Sequence, residues 1–317
     1  MNIETTLDTP EKKSSPARRI DNGRVLATEN EEAVLHALSR YGFLSAVQLQ
    51  ALVWPTSTQP RLAQRTLRRL IEEHQVERQF VKKTGGQVYA LTAAGSCRTL
   101  AVFGKDTGPT LRALDKAVNV FKHRQFGNDM CIWWETLEGN TFEDVNTEYE
   151  IEKGRALINK KDAHFGKTKG KVPDALLLYP GQVDPKTGEE FTAVGWGEVE
   201  MSKKKGKDYT HLISELCHLL GGYGSQRYTL PNGARVLFAM IACPAVEHEE
   251  KLVQGVLTHL ATSPWKRYNW EFVKKGVCIW SGGKGWVNLN KWVLQHPEVA
   301  AWDEALRKAN IENFGKT

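Results

Sequence analysis

The sequence lacks any apolar run approaching the roughly 20 residues that a bilayer span requires. Residues 1–23 are polar and do not show the charged and then apolar order of a secretion signal. Cysteine is scarce, and the five thiols stand singly among apolar neighbours, without the close pairs typical of zinc sites and disulfide scaffolds. These absences predict a cytoplasmic protein with no membrane span and with reduced cysteines.

A strongly one-sided charge is also missing, because the formal net charge of the 317 residues is only +6. The basic residues nevertheless occur in clusters, which suit a polyanionic partner because each phosphate contact releases condensed counterions. Solvated surface charge explains any single cluster equally well. The chain is long enough for two domains of ordinary size. The basic clusters lie at 12–13, 18–19, 61–69, 82–83, 160–161 and 203–205.

The first hundred or so residues predict a tail followed by helices. Residues 1–28 contain few large apolar groups, which predicts a disordered tail. Thr28 with Glu31, and Ser45 with Gln48, have the spacing of capping boxes, so each pair predicts the start of a helix.

A third helix begins near Pro60, a favourable first helical residue, and its apolar stripe continues to about residue 74. Its other faces are basic and polar. Two extended runs follow, at 76–82 and 88–91, and a Thr-Gly-Gly turn at 84–86 joins them as a hairpin. The residues that would contact DNA from the third helix and the hairpin are Arg61, Gln64, Arg65, Arg68, Arg69, Lys82 and Lys83.

Three helices followed by a hairpin is the order of a winged-helix domain, which we place at 29–104. In a helix-turn-helix unit the recognition helix enters the major groove of double-stranded DNA, and arginines along the third helix favour that partner. A protein interaction module is the alternative for a small unit of this kind.

Residues 105–317 predict a second domain in which helices alternate with strands. This order indicates an α/β (α+β) unit with a mixed sheet covered by helices. The predicted helices are 111–137, 209–220 and 247–260, and the predicted strands are 142–151, 173–179, 191–201, 235–242 and 270–280, with turns at 180–181 and 185–188.

The candidate chemistry of this domain is carried by acids on consecutive strands. Asp174 begins one strand, and Glu198 and Glu200 share one face of the next. Carboxylates aimed at a common point suit Mg²⁺ or Mn²⁺, which can activate water for attack on a phosphodiester. A neighbouring lysine, Lys203 or Lys204, would support the developing charge.

Each of these acids has a structural alternative. Asp174 follows a proline and would serve equally well as a turn cap. Glu198 and Glu200 would form a solvated strand face, except that Val194 and Trp196 in the same alternation predict partial burial. Buried paired acids need a cation or hydrogen-bond partners.

Weaker candidates lie elsewhere in the domain. His123 is predicted as a core histidine, a ligand or a base, and Glu148 as an exposed acid or a further ligand. Tyr209 is a candidate nucleophile if the protein becomes attached to DNA. The segment 153–171 is rich in glycine and cations, which predicts a mobile loop that contacts DNA.

The motif Pro-Asp at 173–174, followed by Glu-Val-Glu-Met-Ser-Lys-Lys at 198–204, resembles the PD-(D/E)XK nuclease superfamily. In that superfamily a helix supplies an acid, the next hairpin an aspartate, and a following strand an acid and a lysine. The resemblance implies catalytic roles for Asp129 on the helix, Asp174 and Glu198. It departs from the superfamily at Glu200, which stands where the lysine is expected.

The altered motif and the predicted winged helix together resemble the replication-relaxation family, especially the C-class mobilisation relaxases of plasmids. The resemblance extends over about 29–225 and implies a winged helix joined to a nuclease-like mixed sheet flanked by helices. It further implies metal-dependent nicking at a transfer or replication origin, with metal bound by Asp174, Glu198 and Glu200, and with mobilisation accessory proteins as partners.

Two other functions remain open from the sequence. One is a DNA-binding accessory factor or repressor that retains the nuclease fold without activity, which the departure at Glu200 favours. The other is a defence or transposon endonuclease that makes double-strand breaks, which would need two active sites and therefore a homodimer.

Overall fold

The chain forms a mixed α/β structure in two parts, each with its own sheet. The computed structural model describes residues 22–57, 59–81, 86–105, 107–110, 118–137, 139, 144–158, 172–201, 206–221, 229–230, 232–264, 267–280 and 285–315. We refer to 22–105 as the N-terminal unit and to 118–315 as the C-terminal unit. None of the helices within the described ranges is long and apolar enough to cross a membrane.

The N-terminal unit contains four helices and a small antiparallel sheet. The sheet has the strand order β1-β3-β2, so the first short strand pairs with the far strand of the hairpin. The elements are α1 (Asn22–Tyr41), β1 (Leu44–Ser45), α2 (Ala46–Val53), α3 (Arg61–Glu72), β2 (Val76–Val81), β3 (Gly86–Leu91) and α4 (Ala93–Phe103).

Local sequence signals explain the helices of this unit. The capping box of α2 is confirmed: the Gln48 amide N–H donates to Ser45 Oγ, and the Ser45 amide N–H donates to Gln48 Oε1. The third helix begins at Arg61, with Pro60 as its N-cap residue, and its apolar stripe is buried. The predicted start of α1 at residue 28 is wrong, because α1 begins at Asn22 and 22–28, assigned to the tail, are helical.

The C-terminal unit is built on a six-stranded mixed sheet of order β4-β5-β6-β7-β8-β9. β4, β5 and β6 are antiparallel, whereas β6, β7 and β8 are parallel. The elements are α5 (Val118–Glu135), β4 (Val145–Thr147), α6 (Glu148–Glu152), β5 (Ala175–Val183), β6 (Glu190–Val199), α7 (Gly206–Gly221), β7 (Arg235–Ala242), α8 (Val246–Thr262), α9 (Trp270–Gly276), β8 (Val277–Trp280), β9 (Trp286–Asn288), α10 (Leu289–Leu294) and α11 (Pro297–Phe314).

Three predicted elements of this unit are wrong. The strand predicted at 142–151 stops at Thr147, where a capping box with Glu150 starts α6. The strand predicted at 270–280 is helix α9 followed by β8, because the side chain of Asn269 caps the helix by accepting from the Phe272 amide. The turn predicted at 180–181 is a bulge within β5, whereas the turn at 185–188 is confirmed.

The two faces of the large sheet bury different clusters. One face, which carries Leu176, Val194 and Trp196, packs against α7 and α8. The other face carries Leu177 and Val199 and forms a single apolar cluster with α5 and the core of the N-terminal unit. The N-terminal unit is therefore packed onto the sheet through α5 and α6.

Candidate metal centre

The candidate centre lies at one edge of the large sheet. β5 is antiparallel to β4 and β6, so its start lies beside their ends. Ala175 pairs with Thr147, the last residue of β4, and with Gly197, two residues before the end of β6. Glu148 and Asp174, which lie just outside β4 and β5, therefore meet Glu198, the last but one residue of β6, at the same edge. Sequence spacing alone placed Asp174 and Glu198 there.

Asp174 is held rigidly by the neighbouring strand β6. Its amide N–H donates to the Gly197 carbonyl oxygen at 2.8 Å, and its Oδ2 accepts from the Val199 amide N–H at 2.7 Å. Two main-chain contacts of this kind fix the carboxylate relative to the sheet. Asp174 thus has the capping role of a turn aspartate and still faces the side chains of two other elements.

Those side chains are His123 from α5 and Glu148 from α6. His123 Nε2 lies 3.5 Å from Asp174 Oδ2, and His123 Nδ1 lies 3.7 Å from Glu148 Oε2. One potential ligand atom from each of His123, Glu148 and Asp174 lies within 4.8 Å of the other two. We call these three residues the triad.

Arg124 fixes the orientation of Glu148. Its side chain is only 1% exposed, and its Nη2 lies 3.1 Å from Glu148 Oε1 and 2.7 Å from Glu152 Oε2. The second oxygen of Glu148, Oε2, is buried and forms no hydrogen bond within the described part of the chain. One oxygen is thereby anchored by a guanidinium, while the other faces His123.

The charges of the triad alter one another's ionisation. Burial would lower the pKa of His123, but the carboxylates of Glu148 and Asp174 outweigh it and raise the pKa to about 9. Burial, followed by the negative charge of Glu198, raises the pKa of Asp174 to about 7. Burial would raise the pKa of Glu148, yet His123 and Arg124 lower it overall. Two carboxylates whose pKa values shift in opposite directions beside one imidazolium are typical of a functional site.

The donor atoms of the triad fit a divalent cation. Two carboxylates suit Mg²⁺ or Mn²⁺, and an imidazole nitrogen suits a transition metal, so Mn²⁺ matches the whole set better than Mg²⁺ does. The buried Oε2 of Glu148 forms no hydrogen bond among the described residues and has His123 Nδ1 at 3.7 Å as its charged neighbour, so it could also accept a cation.

Glu198 and Glu200 occupy different surroundings, although both are more than nine-tenths buried. Trp196 Nε1 donates to Glu198 Oε1 at 2.5 Å, and the charge of Glu198 is close enough to raise the pKa of Asp174. The Glu200 amide N–H donates to the carbonyl oxygen of Ala242, the last residue of β7, at 2.9 Å. Among the described residues, neither belongs to the group whose ligand atoms lie within 4.8 Å.

Asp129 lies outside that group as well, although the resemblance assigned it the helix acid. Its Oδ1 accepts from Gln48 Nε2 at 2.7 Å, and the same amide group donates to the Gln125 carbonyl oxygen at 3.1 Å. Burial raises the pKa of Asp129, whereas the bond from Gln48 lowers it. Asp129 therefore joins α5 to α2, and the α5 side chain that reaches the sheet edge is His123.

The sequence favours the strand acids over His123 and Glu148 as ligands and contains no signal for Arg124. The capping-box spacing of Thr147 and Glu150 would have marked a helix start at Glu148, immediately after a strand. Nothing in the sequence indicates that Arg124 is buried, because an arginine on a helix is ordinarily exposed.

The predicted DNA-contacting residues of α3 are all exposed, namely Arg61, Gln64, Arg65, Arg68 and Arg69. Arg69 also pairs with Glu31 of α1 at 2.8 Å. Lys82, Lys83, Lys203 and Lys204 lie outside the described residues, as does most of the basic loop at 153–171.

Tyr209 is occupied by helix packing. Its hydroxyl donates to the Lys251 carbonyl oxygen of α8, and burial raises the pKa of Tyr209 to about 12. These surroundings do not activate the hydroxyl as a nucleophile.

The chain matches no model of a known protein family, no curated protein and no solved structure.

Proposed function

We propose that this protein binds double-stranded DNA through the N-terminal unit and cleaves one DNA strand at a divalent-metal centre formed by the triad. The observation that carries the proposal is the convergence of His123, Glu148 and Asp174 at one edge of the sheet, with a buried carboxylate oxygen that has no hydrogen bond in the described chain. A divalent cation would satisfy that oxygen.

The N-terminal unit supports DNA as the partner. Three helices precede a hairpin whose far strand pairs with β1, an arrangement that suits a winged helix. The exposed side of α3 carries four arginines and one glutamine, while its opposite stripe is buried in the core. A helix with these two faces can enter the major groove and contact phosphates and base edges.

The C-terminal unit supports the nuclease resemblance in part. Helix α5 reaches the sheet edge, the start of β5 brings Asp174 there, and Glu198 is the last but one residue of the following strand β6. The helix contributes a histidine instead of an acid. Glu148 contributes a carboxylate that the superfamily pattern does not assign.

The side chains of the triad have distinct roles in this proposal. Asp174 and Glu148 would hold the cation, with Arg124 fixing Glu148 in place. His123 would complete the ligand set after losing its proton, and Glu198 would accept a hydrogen bond from a bound water. The cation would supply charge stabilisation of the phosphoryl oxygens and a water of lowered pKa.

A plasmid-nicking assay tests the proposal. Supercoiled plasmid containing the DNA that flanks the gene is incubated with the full chain and Mn²⁺ or Mg²⁺, alongside Asp174→Asn and Glu148→Gln. We expect relaxed circles with the parent chain and a loss of at least a hundredfold in both variants, because each removes a ligand charge while keeping the side-chain shape. Glu190→Gln, at the opposite end of β6 from Glu198, is the matched control and should nick normally.

Other products would point elsewhere. Linear plasmid would favour the dimeric endonuclease that makes double-strand breaks. DNA binding without cleavage in either metal would contradict the enzymatic proposal. A transfer or replication origin as the natural target, with mobilisation proteins as partners, is proposed from the sequence resemblance alone.

A non-catalytic DNA-binding accessory factor or repressor is the second candidate function. Two observations favour it: Glu200 replaces the lysine of the nuclease pattern, and Glu198 already accepts a hydrogen bond from Trp196. In this case the triad would be a structural group in which the His123 imidazolium balances two acids. Asp174→Asn and Glu148→Gln would then change the thermal stability, and neither these variants nor the parent chain would cleave DNA.

A further inference from the structure

A cleft separate from the triad lies between the two units. It has a volume of about 450 Å³, within the range of roughly 300–1,000 Å³ typical of small-molecule sites. Helices α1 and α4 of the N-terminal unit form one wall, and β4 with α6 of the C-terminal unit forms the other. The lining residues are His36, Ser39, Arg40, Thr99, Phe103, Lys105, Thr107, Val145, Asn146, Glu150 and Arg155.

The charge of this lining favours an anion. Arg40, Lys105 and Arg155 contribute cations, and Glu150 is the one carboxylate among the lining residues of the described chain. Arg40 is already bound to Glu150 at 3.3 Å and to the buried Glu135 at 2.6 Å. An anionic ligand would therefore be attracted mainly to the side of the cleft that carries Arg155.

Two buried polar atoms of the lining lack hydrogen bonds within the described residues, namely Arg155 Nε and Thr107 Oγ1. The guanidinium of Arg155 is otherwise fixed, because its Nη2 donates to the Ser39 carbonyl oxygen at 3.1 Å. A buried donor left without a partner costs free energy unless a ligand or water satisfies it. A guanidinium N–H and a hydroxyl that line the same cleft suit the oxygens of a phosphate.

The same cleft has an aromatic wall. His36 and Phe103 stack with ring centroids 4.6 Å apart at 28°, and Phe103 remains 36% exposed. An exposed ring beside a cationic pocket provides a surface on which a flat heterocycle can stack.

We propose that this cleft binds a nucleoside monophosphate, with the phosphate at Arg155 and Thr107 and the base against Phe103. The ligand is either a free nucleotide or the phosphorylated end of a DNA strand, since both present the same chemistry. The proposal does not depend on the function assigned to the triad, although α6 carries both Glu150 of the cleft and Glu148 of the triad.

Isothermal titration of the metal-free full chain tests this proposal. The ligands are 5′-AMP, adenosine, inorganic phosphate and a short 5′-phosphorylated single-stranded DNA. We expect 5′-AMP to bind more tightly than adenosine or phosphate, because only 5′-AMP uses both the cationic and the aromatic sides of the cleft. If the phosphorylated DNA binds more tightly than 5′-AMP, the natural ligand is the end of a DNA strand. If the phosphorylated DNA binds more weakly than 5′-AMP, the natural ligand is the free nucleotide.

Two conservative variants assign the binding to this cleft. Thr107→Val removes the hydroxyl at nearly constant shape, and Phe103→Leu removes the ring, so each should weaken 5′-AMP binding about tenfold. Thr258→Val on α8, which removes an exposed hydroxyl far along the chain from the cleft, should bind normally. Circular dichroism and thermal unfolding confirm that each variant is folded.

Three results would overturn the proposal. The first is that the folded parent chain does not measurably bind 5′-AMP. The second is that both cleft variants bind 5′-AMP with unchanged affinity, and the third is that phosphate binds as tightly as 5′-AMP. Because the titration contains neither metal nor a cleavage step, its outcome is independent of the nicking assay.

Discussion

Arg40 shows how a single buried side chain joins the two units. Its guanidinium contacts Glu135 of α5, Glu150 of α6 and the Val145 carbonyl oxygen of β4. Its own carbonyl oxygen accepts from Thr147 Oγ1. A buried charge with several partners is costly to disturb, since the acids left behind remain desolvated.

We predict that Arg40→Met destabilises the protein by about 3–5 kcal/mol, because Glu135, Glu150 and the Val145 carbonyl oxygen would lose a buried hydrogen-bond donor. Urea unfolding measures the change. Arg307→Ala is the control, since Arg307 forms an exposed pair with Glu271 at 3.2 Å and should cost at most about 1 kcal/mol. Equal losses in the two variants would contradict the role of Arg40.

The triad predicts a pH dependence of the metal-free protein. The raised pKa of His123 means that folding favours the imidazolium, so its stabilising contribution is complete below about pH 6.5 and is lost as pH rises through about 9. Asp174 acts in the same direction, because its pKa is raised from 3.8 to about 7 and its protonated form is favoured in the fold.

We therefore expect the melting temperature in EDTA to fall between about pH 6.5 and about pH 9 in the parent chain. His123→Gln should flatten this decline, whereas His211→Gln, at an exposed position on α7, should not. Differential scanning calorimetry makes the measurement. A decline that is equally steep in His123→Gln would refute the contribution of the triad.

At the scale of elements, α3 combines a buried stripe with a basic outer side. Ala63, Leu67 and Leu70 are buried, and the Ala63 amide donates to Gln50 Oε1 of α2 at 3.4 Å. The helix is thus fixed against α2 at its first turn. Its arginines point away from the core, as a phosphate-contacting helix requires.

We predict that Arg61→Ala, Arg65→Ala and Arg68→Ala each lower DNA affinity and reduce the salt dependence of binding. The slope of log K against log salt should change by about 0.9 for each phosphate that the variant no longer neutralises. Fluorescence anisotropy with a labelled duplex measures both quantities. Arg307→Ala on α11 is the control, and unchanged slopes in all three α3 variants would exclude α3 from the interface.

At the scale of the whole molecule, the N-terminal unit is an integral part of the core. Phe43 is fully buried and stacks on Phe121 of α5 with ring centroids 4.6 Å apart, and the Phe43 carbonyl oxygen accepts from Asn128 Nδ2 at 3.0 Å. One apolar cluster includes Leu38 and Leu49 together with Met130 and Leu177. Such continuity couples the unfolding of the two units.

We predict that the full chain unfolds in one transition and that a fragment of residues 22–105 melts at least ~10 °C below it, since exposing the α5 contact costs ~2 kcal/mol or more. Calorimetry of both proteins tests this prediction. Two separate transitions in the full chain, one of them at the temperature of the fragment, would show that the units fold independently.

Features that depend only on neighbouring residues could be predicted without the structure. The Ser45–Gln48 capping box, the amphipathic third helix and the strand at 235–242 are all confirmed, because caps and periodic burial are encoded within a few residues. The sequence also placed Asp174 and Glu198 at the ends of adjacent strands.

The side chains that surround Asp174 depend on long-range packing and could not be predicted from the sequence. His123 and Glu148 lie near Asp174 because α5 and α6 pack on the sheet edge, where Arg124 holds Glu148, and Asp129 contacts Gln48 because α2 packs on α5. The same packing buries Arg40 and creates the cleft between the units. These outcomes depend on contacts between residues far apart in the chain, and no local pattern records such contacts.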